Sequence, residues 1–194
     1  MNVVYKSYEN KMIIAAPVSV DQFVVTATNA VIKRQGDLYT CIPTSYSNVD
    51  IDIVISAKVD EKIIPVGKET FRVMDLPNPT VFFKFNDVNG NAVLYNPEFS
   101  NTKLTRYNLT SANIVAEYAD SVLQAKFKVQ SFVLYVPDGQ GGFTKIYSDG
   151  NNFSRAQKEY IAKLKAGTMI FLGEIKITGT KTATLSFPPI ELPE

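Results

Sequence analysis

The side chain that carries most proton transfer near neutral pH is missing, because the 194-residue chain contains no histidine. That excludes Ser-His-Asp and Cys-His hydrolysis and most zinc sites. The single cysteine, Cys41, has no partner for an internal disulfide. It stands in the alternating run Tyr39-Thr40-Cys41-Ile42, where a thiol packs as a small hydrophobe and nothing nearby depresses its pKa. Asp50 and Asp52 could suggest the paired acids of a glycosidase, but such acids work from opposite sides of a cleft. On one strand face they read instead as solvent-side charges that hold register. Asp87-Val88-Asn89-Gly90-Asn91 is rich in oxygen ligands, yet no helix is evident leading into it as in a calcium-binding helix-loop-helix, and Asn-Gly is a strong hairpin signal. Asp149-Gly150-Asn151-Asn152 reads in the same way, as a loop leading into a helix cap. No catalytic residue, cofactor-binding residue or metal ligand is therefore assigned, no cofactor is expected, and the chain is not expected to be an enzyme.

What remains is adhesive chemistry. β-Sandwiches often hold sugars on aromatic platforms, and this chain has ten tyrosines and twelve phenylalanines but no tryptophan. Most of these aromatics fall at inward-facing strand positions. Tyr135, Phe143 and Tyr147 flank a glycine-rich stretch and form the local aromatic group chosen as a partner-binding candidate, with core packing at a hairpin as the competing explanation.

These side chains must be positioned by strands. Val49, Ile51, Ile53, Ile55, Ala57 and Val59 alternate with Asp50, Asp52, Val54, Ser56 and Lys58, the pattern of a half-buried strand built from β-branched residues. Similar short runs occupy Val3–Lys6, Met12–Ala16, Phe23–Thr28, Leu38–Ile42 and Thr70–Met74, punctuated by Gln35-Gly36-Asp37 and Pro43-Thr44-Ser45. Frequent short strands without crossover helices describe a sandwich. Beyond residue 77, Ala125–Val129 alternates cleanly, and the apolar phase changes across Gln130-Ser131, which predicts a β-bulge. Val136–Gly142 reads as an exposed hairpin loop returning through Phe143–Tyr147. One helix is expected over 155–166. Ser154 and Gln157 form its capping box, Gly167 stops it, and Ala156, Tyr160, Ile161 and Leu164 make its apolar stripe. Strands over Thr168–Ile177 and Ala183–Ile190 follow.

Asp75-Leu76-Pro77-Asn78-Pro79 is the best boundary, since each proline fixes φ and pushes its predecessor into an extended conformation. The fold expected is all-β, with two sandwich domains in tandem at 1–76 and 77–194, joined by a short stiff segment. Composition agrees: 45% hydrophobic and 20% charged residues suit an ordinary globular protein. Twenty basic against nineteen acidic residues leave a charge of +1, too weak a field to concentrate nucleic acid. No stretch approaches the ~20 consecutive apolar residues that span a bilayer, so no membrane insertion by this chain is expected.

Several stretches, in order, resemble the C-terminal periplasmic half of the gliding-motility proteins of the GldM/PorM family. They are Met1–Tyr5 with Asn10 and Ala16-Pro17, Phe71-Arg72-Val73 leading into Pro77-Asn78-Pro79, Ser111–Ala116, Phe127–Phe132, and Phe153-Ser154 with Gln157-Lys158 and Ile161–Gly167. The resemblance runs almost end to end. It implies that the sandwiches are Ig-like and belong to a dimeric periplasmic shaft. That shaft would couple an inner-membrane motor to outer-membrane components of the type IX secretion and gliding machinery, with protein partners in the cell envelope and no active site. The alternative reading is an Ig-like periplasmic or surface module that binds glycans or peptides through the Val136–Phe143 hairpin.

Overall fold

Alternating apolar residues between turn formers build the strands of the first unit, Met1–Pro77. They are β1 (Val3–Tyr5), β2 (Asn10–Ile13), β3 (Phe23–Ala27), β4 (Ala30–Gln35), β5 (Leu38–Pro43), β6 (Ile51–Val59) and β7 (Lys62–Met74). The computed structural model describes residues 2–15, 23–44, 49–119 and 123–194. Ala16, at the end of one expected strand, and Ser45, in one expected turn, lie outside these residues. One sheet has the order β1-β7-β6-β3 and the other β2-β5-β4. This is an immunoglobulin arrangement in which the opening strand has joined the sheet that holds the closing strand. β1 runs parallel to β7, Val4 opposite Val73, while the other described pairs in this unit are antiparallel. Val4, Cys41, Ile51, Ile53 and Val73 form the buried core between the sheets.

Ile51 and Ile53 point inward as the alternation requires. Beyond Ile55, where the register with β7 shifts, Ala57 is buried as expected, but Ser56, expected outside, is buried too and Val59, expected inside, is 48% exposed. At the same point β7 carries one extra residue, a β-bulge opposite Ile55 and Ser56. β7 is also longer than the expected Thr70–Met74. It reaches back to Lys62 because Asp60 and Glu61 close a two-residue hairpin with φ of 47° and 65°. Neither is the glycine or asparagine that normally marks such a turn. Pro65, next to the bulge, occupies a strand position that proline tolerates. Asn10, 8% exposed, ties the corner between β1 and β2. Its Oδ1 accepts from the Tyr5 N–H at 2.7 Å, and its Nδ2 donates to the carbonyls of Tyr5, Tyr8 and, across in β5, Cys41.

The second unit, Asn78–Glu194, is built in the same way but stabilised by helices. Its elements are β8 (Thr80–Asn86), β9 (Ala92–Tyr95), α1 (Arg106–Ser111), β10 (Asn113–Glu117), β11 (Phe127–Pro137), β12 (Phe143–Asp149), α2 (Arg155–Lys163), β13 (Met169–Gly179), β14 (Ala183–Leu185) and β15 (Ile190–Glu191). One sheet is β10-β8-β9; the other is β12-β11-β13-β14, with β15 also on β13. The predicted bulge is present, with register shifts on either side of Ser131. Phe83 lies at the centre of the core, stacked on Phe187 at 4.5 Å and edge-on to Phe153, which in turn meets Phe132. These rings join strands of both sheets. The strand expected over Ala183–Ile190 divides into β14 and β15, because Pro188 and Pro189 supply no ladder donors.

Of the helices, α2 has the expected capping box: Gln157 N–H donates to Ser154 Oγ, and Ser154 N–H to Gln157 Oε1. It stops at Lys163, with Leu164 already extended, one turn before Gly167. The buried stripe is Gln157 and Ile161 with half-buried Leu164; Ala156 and Tyr160 face out. Gln157 Nε2 also donates to the Ile146 carbonyl, so the helix start seals part of the edge of β12. The second helix, α1, was not expected. Thr105 caps it, only Leu109 in it is buried, and Arg106 Nη1 reaches the Ile161 carbonyl at 2.7 Å near the negative end of α2.

Candidate functional site

Cross-strand register decides which of the three candidate aromatics meet. On the outer face of the larger sheet of the second unit, Tyr135 pairs with Lys145 on one side and Phe171 on the other, while Val133 lies opposite both Tyr147 and Gly173. Gly173 has no side chain, so the Tyr135 ring lies over it; a Cβ there would stand 3.1 Å from a Tyr135 ring carbon. Phe143 meets Phe171 edge-on at 5.3 Å. Tyr135, Phe143, Phe171, Gly173, Ser186 and Phe187 line a cavity of about 370 Å³. The structure thus brings Tyr135 and Phe143 together. Tyr147 is 65% exposed on the same strand and is not among the cavity's lining residues.

Beside the cavity, the Tyr135 hydroxyl donates to Glu174 Oε1 at 2.5 Å, and Lys145 Nζ donates to the same oxygen at 3.0 Å while lying 5.1 Å from the Tyr135 ring centre. Glu174 has φ of 49°, in the left-handed region. The hydrogen bond from Tyr135, then that from Lys145, lowers the pKa of Glu174; the same bonds raise the pKa of Tyr135 and of Lys145. A carboxylate held ionised and already accepting two donors is a poor general base at neutral pH. The cluster suits holding a surface in shape and offering polar contacts at the rim of an apolar hollow. Sequence pattern could not locate it, because Glu174 reaches Tyr135 only through an irregular backbone 39 residues away.

Elsewhere the acidic motifs are engaged by their own loops. Asp87 Oδ1 accepts from the N–H groups of Asn89 and Asn91, and Asp138 Oδ1 accepts from those of Gln140 and Gly142. Gly90 and Gly141, each three residues after the aspartate, have φ of 84° and 91°. The two loops are thus the same hairpin device used twice, and these bonds hold both carboxyls below their ordinary pKa. In the Asp149–Asn152 loop, Gly150 N–H donates to the Gln130 carbonyl, and the Asn151 carbonyl accepts from Ile114 N–H. Asp52 accepts from Thr70 Oγ1 at 2.7 Å and from Lys68 at 2.9 Å across the β6–β7 ladder, and both lower its pKa. Asp50 precedes β6 and is exposed. Cys41 is fully buried, which raises its pKa. Among the described residues no group of three His, Cys, Asp or Glu side chains is placed to hold a metal. Nor, among them, is any helix long and apolar enough to cross a membrane.

Compared with known families, residues 1–74 match the family model for the GldM third domain, and residues 77–193 match that for the GldM C-terminal domain. No curated protein matches the chain.

Proposed function

Because the chain belongs to the GldM family over nearly its whole length, we propose that it is a non-catalytic structural segment of the type IX secretion and gliding machinery. In this reading it lies in the periplasm, forms a homodimer, and helps couple an inner-membrane motor to outer-membrane components. The observation that carries the proposal is the consecutive match of the third and C-terminal domains, in order, to two successive sandwich units. The chemistry is compatible with it: Asp52, Asp87 and Asp138 are taken up by ladder and loop hydrogen bonds, and the thiol is sealed in a core. Pro77 and Pro79 would limit the freedom of the segment between the units. The test is secretion in the source bacterium: removing residues 77–194 abolishes export through the type IX pathway and restoring them recovers it, whereas undiminished export after removal contradicts the proposal.

The cavity beside Tyr135 and Phe143 favours a second reading, in which the Val136–Phe143 hairpin region binds a glycan or peptide. Binding on a glycan or peptide array that is lost with Phe143→Ala would support it. An array on which the unaltered chain binds nothing would remove it.

A further inference from the structure

We propose that the first unit is a tension-bearing module whose resistance is set by the parallel β1–β7 pair, so that it withstands stretching along the chain better than the larger second unit does. Within the first unit the chain enters through β1 and leaves through β7, and these strands are ladder neighbours pointing the same way. Tension on Asn2 and Leu76 therefore drags the two strands past each other along their common axis. Every hydrogen bond between them is loaded at once and must fail together, whereas a pair opened from one end fails bond by bond.

The pair is tied at both ends and shielded in the middle. Arg72 N–H donates to the Asn2 carbonyl at 3.0 Å and Lys6 N–H to the Met74 carbonyl at 2.9 Å. Asn2 Nδ2 donates to Glu69 Oε2 at 3.0 Å, and Lys6 lies 3.5 Å from Asp75; these exposed contacts contribute less. Val4 and Val73, directly opposite each other, are 1% and 5% exposed, so water has little access to replace the bonds between them. Asn10 then anchors the far end of β1 to Cys41 in the other sheet.

Among the described residues, the second unit has no such pair. β8 is enclosed by β9 and β10, while the closing strand β15 lies antiparallel on β13 in the other sheet, and the two share no ladder. Tension on its C-terminal end peels Leu192 from Gly167 and Thr168, and then Glu191 and Ile190 from β13, in succession. Forced unfolding reads the barrier rather than the equilibrium stability, so the unit with the smaller core among the described residues can still be the mechanically stronger one.

What load the unit meets in the cell rests on the secretion proposal, but the clamp follows from topology alone, and its failure would leave the export test untouched. The experiment stretches the full chain between its two ends. The units are told apart by released length, up to about 26 nm for the first and about 40 nm for the second at ~3.4 Å per residue. The expected result is that the shorter release occurs at the higher force, and that handles at Asn2 and Glu61, which peel β1 from β7 end first, abolish that high-force event. The longer release occurring at the higher force, or the same force with either pair of handles, overturns the proposal.

Discussion

In the first unit the strand that opens the unit lies beside the strand that closes it, Val4 against Val73. In the second, the opening strand is enclosed within one sheet and the closing segment returns to the other, where Phe187 stacks on Phe83. Both are small sandwiches, yet one joins its ends and the other joins its layers. The difference shows that one fold class can place its strength along the chain or across the core, according to which strands become neighbours. It also separates two quantities that are easily merged, resistance to pulling and equilibrium stability. The second unit has the longer chain and, among the described residues, the larger apolar core, so it is expected to melt at the higher temperature.

The sharpest way to break the comparison is at Phe83. Its ring joins β8 to Phe187 and Phe153, and Phe83→Ala should cost the second unit about 3–5 kcal/mol, measured by denaturant unfolding, while the transition of the first unit stays in place. If both transitions move together, the units are not separate in stability. The corresponding change in the first unit is smaller. Asn10→Ala leaves buried backbone groups of Tyr5 and Cys41 without a partner and should cost that unit about 1–3 kcal/mol, with no shift in the second. Smaller again is Ser154→Ala, which removes one half of the capping box and should lower the stability of the second unit by about 1 kcal/mol.

Acid should distinguish the units more gently. Asp87, Asp138 and Glu174 in the second unit have pKa values lowered by hydrogen bonds in the folded state, whereas Asp52 is the one such group described in the first. A lowered folded pKa gives stability that is present above the unfolded value and is lost as pH falls through the folded one. Both units should therefore weaken as pH drops below the ordinary carboxylate range, the second by more. Melting curves recorded from neutral to strongly acid pH check this, and equal shifts in both units would remove the distinction.

Much of the architecture was legible because it is written in short-range patterns. Ile51 and Ile53 alternate with Asp52 and Val54, Ser154 and Gln157 are spaced as a capping box, and the apolar phase breaks at Gln130-Ser131 where the bulge lies. Features that depend on unusual backbone or distant pairing were not. Asp60 and Glu61 turn a hairpin without glycine, and α1 carries a single buried residue and so has no apolar stripe to detect. Glu174 meets Tyr135 only through irregular backbone, and nothing local in Val3–Tyr5 indicates that these residues lie parallel to Arg72–Met74. Of the three candidate site residues, strand spacing could place all of them on one hairpin. It could not show that Phe171, from a third strand, completes the cavity for Tyr135 and Phe143 and that Tyr147 stands outside it.

The most direct test of the structural role is photocrosslinking in the source bacterium, with the reactive group placed at Phe143 and, separately, at Ile63 on the exposed end of the first unit. A coupling segment of the secretion machinery should trap envelope proteins, or a second copy of itself, as discrete products of fixed mass. Trapping of small soluble ligands alone, with no envelope protein from either position, would contradict the account.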